Sequence, residues 1–305
     1  MIRRLLGNAL LLAMLFAIVF CLTGHAQIAN GTIRGTVTDS TGAVLQNATV
    51  VLVNVGTAEQ TTQPTNKEGY YTFPALSPAD YTVKVIVPGF DAWEVKLTLR
   101  VAQEAVIDAK LKPGTVKEIV TVNDATPLID AADGTVSDVK EATRIETIPV
   151  QDSNFLSILN FTPGVVANGY GGAGGGYTRV NGIPGGSITF QVDGQSANDR
   201  FTNDLQAVPQ ALQTIQELKV TTSNGGAEYS TPGVVEVVTK SGTNQFHGQV
   251  HELYQTGGLE AWQFNSYYPG AKHPHNIHNE FGGQLGGPVL IPKLYNGKNK
   301  TFFEC

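Results

Sequence analysis

The chain has 305 residues, of which 41% are hydrophobic and 15% charged, so it can bury a sizeable core and is not a weakly hydrophobic, disordered polymer. Its formal net charge of -6 offers no basic surplus for nucleic acid, which is not an expected partner. Its two cysteines, Cys21 and Cys305, exclude a disulfide-rich scaffold.

The first 26 residues read as a secretory signal. Arg3 and Arg4 form a charged start, Ala9 to Leu22 is an unbroken apolar run, and Gly24-His25-Ala26 fits a small-x-small cleavage site. Cleavage is expected near Ala26, and the apolar run is short for a spanning helix. An uncleaved membrane anchor is the alternative. Phe20 stands where a lipid-modified Cys21 would require a small residue. With Cys21 removed, the exported chain would be held together by packing and sheet pairing alone.

Residues 27–113 form the first expected domain. Thr32 to Thr38 alternates, Asp39-Ser40-Thr41-Gly42 is a turn, and Ala48 to Val53 is a β-branched run. Tyr81, Val83, Val85 and Val87 then alternate with Thr82, Lys84 and Ile86. Short strands at this spacing, with turns between them, imply a β-sandwich. Gly35-x-Val37-x-Asp39-x-x-Gly42, Gly69 to Leu76, and Tyr81 to Val85 followed by Gly89-Phe90 resemble the carboxypeptidase regulatory-like domain, a prealbumin-like sandwich. Ala79-Asp80 departs from the Pro-Gly turn usual there. The resemblance implies a fold and no activity. Asp39 and Gly42 are read as turn formers, and Tyr70, Tyr71, Phe73 and Tyr81 as packing residues rather than a sugar-stacking platform.

Residues 114–243 form the second expected domain, mixed α and β with strands predominating. Glu118, Ile119, Val120, Thr121 and Val122 make a short extended stretch after Pro113-Gly114. It reads equally as a strand of a neighbouring domain or as a free segment for a partner's sheet edge. Asp152 or Ser153 can cap a helix over 154–160, with Phe155, Leu156 and Leu159 on one face and Thr162-Pro163-Gly164 at its end. Six glycines between Gly169 and Gly176 lack the Gly-Lys-Ser/Thr ending of a phosphate loop and read as a flexible connection. Asp193-Gly194 is a turn, Pro209 to Gln213 a brief helix, and Ile215 to Val220 a strand. Val234, Val235, Val237 and Val238 predict a buried strand within a hairpin spanning Val220 to Gly248.

That last stretch, with Ala227-Glu228-Tyr229 before a Val-Val-x-Val-Val-Thr-Lys-Ser-Gly-Thr-Asn-x-Phe-His-Gly run, resembles the end of the plug of TonB-dependent outer-membrane transporters, Oar-like branch. Residues 148–165, the Arg179-Val180-Asn181-Gly182 segment and the Val192-Asp193-Gly194 segment are similar to further plug segments. Two departures are Glu236, where a small polar residue such as Asn is expected, and a short connection from Tyr229 to Val234. The resemblance implies a plug gating a large barrel. It makes 118–122 the candidate contact for TonB, the energy-coupling protein. It also implies an extracellular ligand such as a siderophore, carbohydrate or peptide, which nothing in the sequence selects.

Residues 244–305 are expected to begin a transmembrane β-barrel. Phe246 to Tyr254 is a first strand. Asn279 to Val289 is a second, with Phe281 and Leu285 on one face and Glu280 and Gln284 on the other. By resemblance, Tyr295-Asn296-Gly297-Lys298 is the periplasmic turn before a third strand, which starts at Lys300-Thr301-Phe302-Phe303. Two and a half strands cannot close a barrel, so the chain reads as a truncated transporter. His247, His251, His273, His275 and His278 are read as surface histidines rather than metal ligands, since Gly248 disfavours a zinc-binding helix.

No Ser/His/Asp or paired-carboxylate arrangement has a supporting motif. Neither an enzyme nor a cofactor is expected. The expected location is the outer membrane. The alternatives are an exported carbohydrate- or protein-binding protein, or an adhesion protein of the envelope.

Overall fold

The computed structural model describes residues 31–114, 119–122, 135–148, 150, 155–166, 178–183, 188–198, 205, 211–223, 229, 231–259 and 277–305. The leader and the six-glycine run lie outside these residues, as do the helix-capping residues Asp152 and Ser153, Pro209, His273 and His275.

The first unit is a sandwich of two sheets. One sheet joins β4 (Tyr70–Leu76), β1 (Gly31–Asp39) and β7 (Glu104–Val106), with β8 (Ala109–Leu111) also paired to β1. The other runs β3 (Gln60–Pro64), β2 (Thr49–Asn54), β5 (Ala79–Ile86), β6 (Ala92–Leu99) and β9 (Ile119–Val122). Period-two alternation puts Ile33 and Val37 of β1 opposite Val83 and Val85 of β5, all fully buried in one core. Burying side chains of this size contributes about 1.5–3 kcal/mol each.

The aromatics expected to pack do so. Tyr71 and Phe73 meet edge to face, with centroids 5.9 Å apart. The Tyr71 hydroxyl donates to the Ile107 carbonyl at 2.6 Å, and that of Tyr81 to Ser77 at 2.9 Å. Burial pushes both phenols above the usual tyrosine range.

Asp39 accepts from the Thr41 hydroxyl (2.6 Å) and from the Thr41 and Ala43 amides, and Gly42 takes φ +93°, as a turn requires. The Thr41 hydroxyl bond leads the effects that hold the Asp39 carboxyl below its usual range. Ala79-Asp80 is no turn. It opens β5 opposite Leu99 and Thr98, and Thr98 donates to Asp80 at 2.6 Å.

With a closed core of its own, residues 27–113 expressed alone should unfold in one cooperative step with a strand-type circular dichroism spectrum. A disordered spectrum would refute an autonomous sandwich.

The second unit is a five-stranded sheet in the order β10 (Val136–Glu141), β15 (Ile215–Ser223), β16 (Gly233–Thr239), β13 (Ile188–Val192) and β14 (Gln195–Ser196). Helices α1 (Ala142–Thr147) and α2 (Phe155–Leu159) supply Ile145, Phe155, Ile158 and Leu159 to a core with Leu218, Val220, Val235 and Val237. Ile158 is buried more deeply than Leu156, which was expected on that face. A small pair, β11 (Val165–Val166) and β12 (Arg179–Val180), lies beside them.

Asp193 and Gly194, at φ +48° and +75°, form the tight turn between β13 and β14. Of the brief helix expected over 209–213, the first residues lie outside the described ones, and the described part enters a 3-10 turn at Leu212–Thr214. In β15 the apolar spacing slips from three to two residues, Ile215 to Leu218 to Val220. The bulge between Ile215 and Glu217 absorbs that slip.

The third unit pairs β17 (His247–Thr256) with β18 (Ile277–Pro288) over ten residues, and β18 with β21 (Phe302–Glu304). Between β18 and β21, β19 (Leu290–Ile291) and β20 (Tyr295–Asn296) form a minor hairpin, so Tyr295-Asn296 are strand residues where a plain turn was expected.

Candidate functional site

The third unit has two chemically distinct faces. Val250 and Phe281 are 90% and 82% exposed, and Tyr254, Ile277 and Leu285 share their side, with Glu252 and Asn279 as its polar members. The opposite face carries His247, Gln249, His251, Leu253 and Gln255 of β17, against Gly286, Gln284, Gly282, Glu280 and His278 of β18, so it is polar but for Leu253. The Gly-Gly-Gln-Leu-Gly-Gly run has a steric reason on this side. A Cβ on Gly282 would lie 2.7 Å from the His251 ring, and one on Gly286 would lie 2.6 Å from His247 Nε2. The His251 ring at Gly282, and the Glu304 carboxylate with the His247 ring at Gly286, therefore approach bare backbone where a side chain would not fit. His247 Nε2 also sits 3.0 Å from a Glu304 carboxylate oxygen. Among the described residues, no three or more His, Cys, Asp or Glu are grouped to hold a metal ion.

The second unit packs on this polar face. A cavity of about 330 Å³ separates them, lined by Glu146 and Ile148 on one side and by Gln249 and His251 on the other. The Gln284 amide, oriented to satisfy both neighbours, donates to the Gln213 carbonyl (2.6 Å) and accepts from Lys240 Nζ (3.0 Å). Lys240 in turn pairs with Glu146 at 2.9 Å.

Asn244, in the Lys-Ser-Gly-Thr-Asn run that follows the second unit, ties the sandwich to the third unit. Its amide donates to Gly56 (3.0 Å), its side chain donates to Thr57 (2.6 Å), and it exchanges bonds of 2.7 Å with Asn299. The sequence marked this run by order alone; its tying role depends on residues far away in the chain.

Of the five residues expected to meet a coupling partner, Glu118 lies outside the described residues. Ile119–Val122 form β9, paired in parallel with Ala92–Val95 of β6. The backbone thus occupies the edge of the sandwich sheet. Glu236, a departure from the family pattern, is 3% exposed; it receives the Tyr229 hydroxyl at 3.3 Å and stands opposite Lys219.

Glu217 is a functional candidate that sequence reasoning missed. It is 5% exposed, and Oε2 accepts from the Val101 amide of the sandwich at 2.9 Å. Burial, more than any other influence, pushes its carboxyl above the usual glutamate range.

Three family models match in order along the chain. They are the Carboxypeptidase regulatory-like domain over residues 32–112, the TonB-dependent Receptor Plug Domain over 131–237, and the Outer membrane beta barrel domain over 238–303. The chain is 29% identical over 294 residues to the TonB-dependent transporter Oar of Myxococcus xanthus. That match covers 90% of this chain and 27% of that protein. The siderophore receptor PirA from Acinetobacter baumannii is similar over 50% of this chain and 22% of its own, at 21% identity and a TM-score of 0.37. A putative carbohydrate binding protein from Bacteroides uniformis is similar over 28% of this chain and 42% of its own, at 23% identity and a TM-score of 0.24. At these scores the family assignment rests on the sequence matches.

The chain thus carries a regulatory-like sandwich, a TonB-dependent receptor plug and the first strands of an outer-membrane barrel, in that order. Its plug and barrel segments are those of TonB-dependent receptors, and its sequence is similar to a transporter of that kind. It spans about a quarter of the length of the curated relative it matches.

Proposed function

We propose that this chain supplies the sandwich, plug and first wall strands of a TonB-dependent transporter, which takes up a large nutrient through the outer membrane. The carrying observation is the two-faced strand pair, with the plug packed on its polar side. Ile277 to Leu285 spans roughly 27 Å along the strand at about 3.4 Å per residue. Tilted by about 40°, this covers roughly 20 Å of height, close to the apolar band of about 25 Å on such barrels. The face turned to the plug is predominantly polar, with Leu253 as its apolar member, which suits the inside of a plugged barrel.

Residues 118–122 are the proposed contact with TonB, by strand addition. Their pairing with β6 is the other reading the sequence allowed, a strand of the sandwich; what supports the TonB contact is their extended backbone at a sheet edge. A coupling protein would have to displace it from that edge. Proline at Val120 would remove a backbone donor from any such strand.

The test expresses the complete gene in its host with the Val120→Pro variant beside it. Candidate siderophores, oligosaccharides and peptides are then assayed for uptake. Uptake should require TonB, and Val120→Pro should abolish it while leaving the receptor's amount in the outer membrane unchanged. Uptake that is independent of TonB, or unaffected by Val120→Pro, would overturn the assignment of this segment.

A further inference from the structure

We propose that the sandwich is held on the plug by a proton-tightened latch whose central acceptor is Glu217. The contact is a tight turn, Arg100 to Gln103, set against β15. The Val101 side chain is 1% exposed and lies outside both hydrophobic cores, so it fills the junction itself. Its amide donates to Glu217 Oε2 at 2.9 Å. Ala102 is held at φ +47°, a left-handed conformation unusual for alanine, and its carbonyl receives Lys219 Nζ at 3.2 Å. Gln216 donates to the Pro78 carbonyl at 3.1 Å, and Arg100 pairs with Glu141 at 2.5 Å.

The other carboxylate oxygen, Glu217 Oε1, is buried and has no hydrogen-bond partner among the described residues. A buried carboxylate left half satisfied costs free energy when ionised and much less when protonated. Every charged group facing it bears on this balance. Arg100 on the turn and Lys219 on the same strand favour the anion. Glu141, directly opposite on β10, opposes it. Glu236 on β16 stands across from Lys219 in the register. Burial outweighs these neighbours and raises the carboxyl pKa above the ordinary 4.5.

The direction of the linkage follows. Once undocked, Glu217 would meet water and return towards its ordinary value. The docked state therefore binds the proton more tightly, and docking is strongest below pH 4.5. It is lost progressively as pH rises through the docked value. A single proton changes the docking equilibrium by at most about tenfold per pH unit. The latch is therefore looser at neutral pH than in acid. Its action does not depend on which solute the receptor carries.

The test follows amide exchange at Val101 in the full chain in detergent, between pH 5 and 8. Rates are normalised to an unstructured peptide of the same sequence, under conditions where exchange tracks the opening equilibrium. The wild type should lose protection several-fold as pH rises. Glu217→Gln keeps the acceptor without the charge and should stay protected at every pH. Glu217→Ala removes the acceptor and should be unprotected throughout. Glu141→Gln should retain the wild-type pH dependence. Wild-type protection that does not change with pH, Glu217→Gln following the wild type, or pH dependence lost in Glu141→Gln would each overturn the latch.

Discussion

Replacing Gly35 by valine should unfold the sandwich or bring it to the edge of unfolding. Gly35 lies in β1 opposite Tyr71, and an added Cβ would overlap the Ile107 carbonyl oxygen. That carbonyl cannot withdraw freely. Ile107 donates its own amide to Arg34 at 2.7 Å, and its oxygen receives the Tyr71 hydroxyl. Relief would separate β1 from β7 and β8, the two strands paired parallel to it. Overpacking typically costs about 1–3 kcal/mol. A rigid backbone obstacle puts this site at or above the top of that range, against a total domain stability of about 5–15 kcal/mol. Gly42 gives the contrast within the same motif. Its φ is +93° but nothing lies within 4 Å of an added Cβ, so Gly42→Ala should cost only about 1 kcal/mol. Urea titration of both variants, followed by circular dichroism, measures the difference. Equal costs would refute the packing argument.

Lys140→Ala should be the most damaging single charge removal in the plug. Lys140 is fully buried, and its ammonium donates to Asp138 at 2.6 Å and to the Thr162 hydroxyl. It thereby ties the edge strand β10 to the turn that ends α2. Truncation leaves a void and strips Asp138 of its buried partner, although Arg144 remains at 3.0 Å. Breaking a buried pair in this way costs about 3–5 kcal/mol. Lys140→Met, which refills the volume, should recover part of the loss. Equilibrium denaturation, read by proteolysis of the plug in the full chain, would measure both. A cost below about 1 kcal/mol for Lys140→Ala would show that the pair is dispensable.

Much of this architecture is legible in local chemistry. The four valines of β16, the Asp193-Gly194 turn and the opposed faces of Phe281 and Gln284 follow from propensity and period. What escapes is decided elsewhere in the chain. Val136 to Thr147 contains few apolar residues, and Glu141, which precedes α1, makes no side-chain cap, so neither β10 nor α1 announces itself. Lys140 reads as a solvated side chain until Thr162 is brought over it. Glu217 and Lys219 likewise read as the wet side of a strand. Val101 and Ala102, more than a hundred positions earlier, bury them. Pairing of Ile119–Val122 with β6 is equally invisible, because four extended residues do not specify which edge they join.

The strand order of the plug has a mechanical consequence. The chain enters this sheet at an edge, through β10, and leaves from its middle, through β16, which runs on to β17 of the wall. Tension applied upstream of Val136 would load a strand with one neighbour, in a ladder already irregular between Val136 and Ser137. Peeled from that end, its pairs break one at a time, at about 1 kcal/mol of net hydrogen-bond stability each. β16 has a partner on either side, antiparallel β15 and parallel β13, and cannot slide without shearing both ladders together. The plug therefore has a yielding end and an anchored end, and the anchored end is the one joined to the wall.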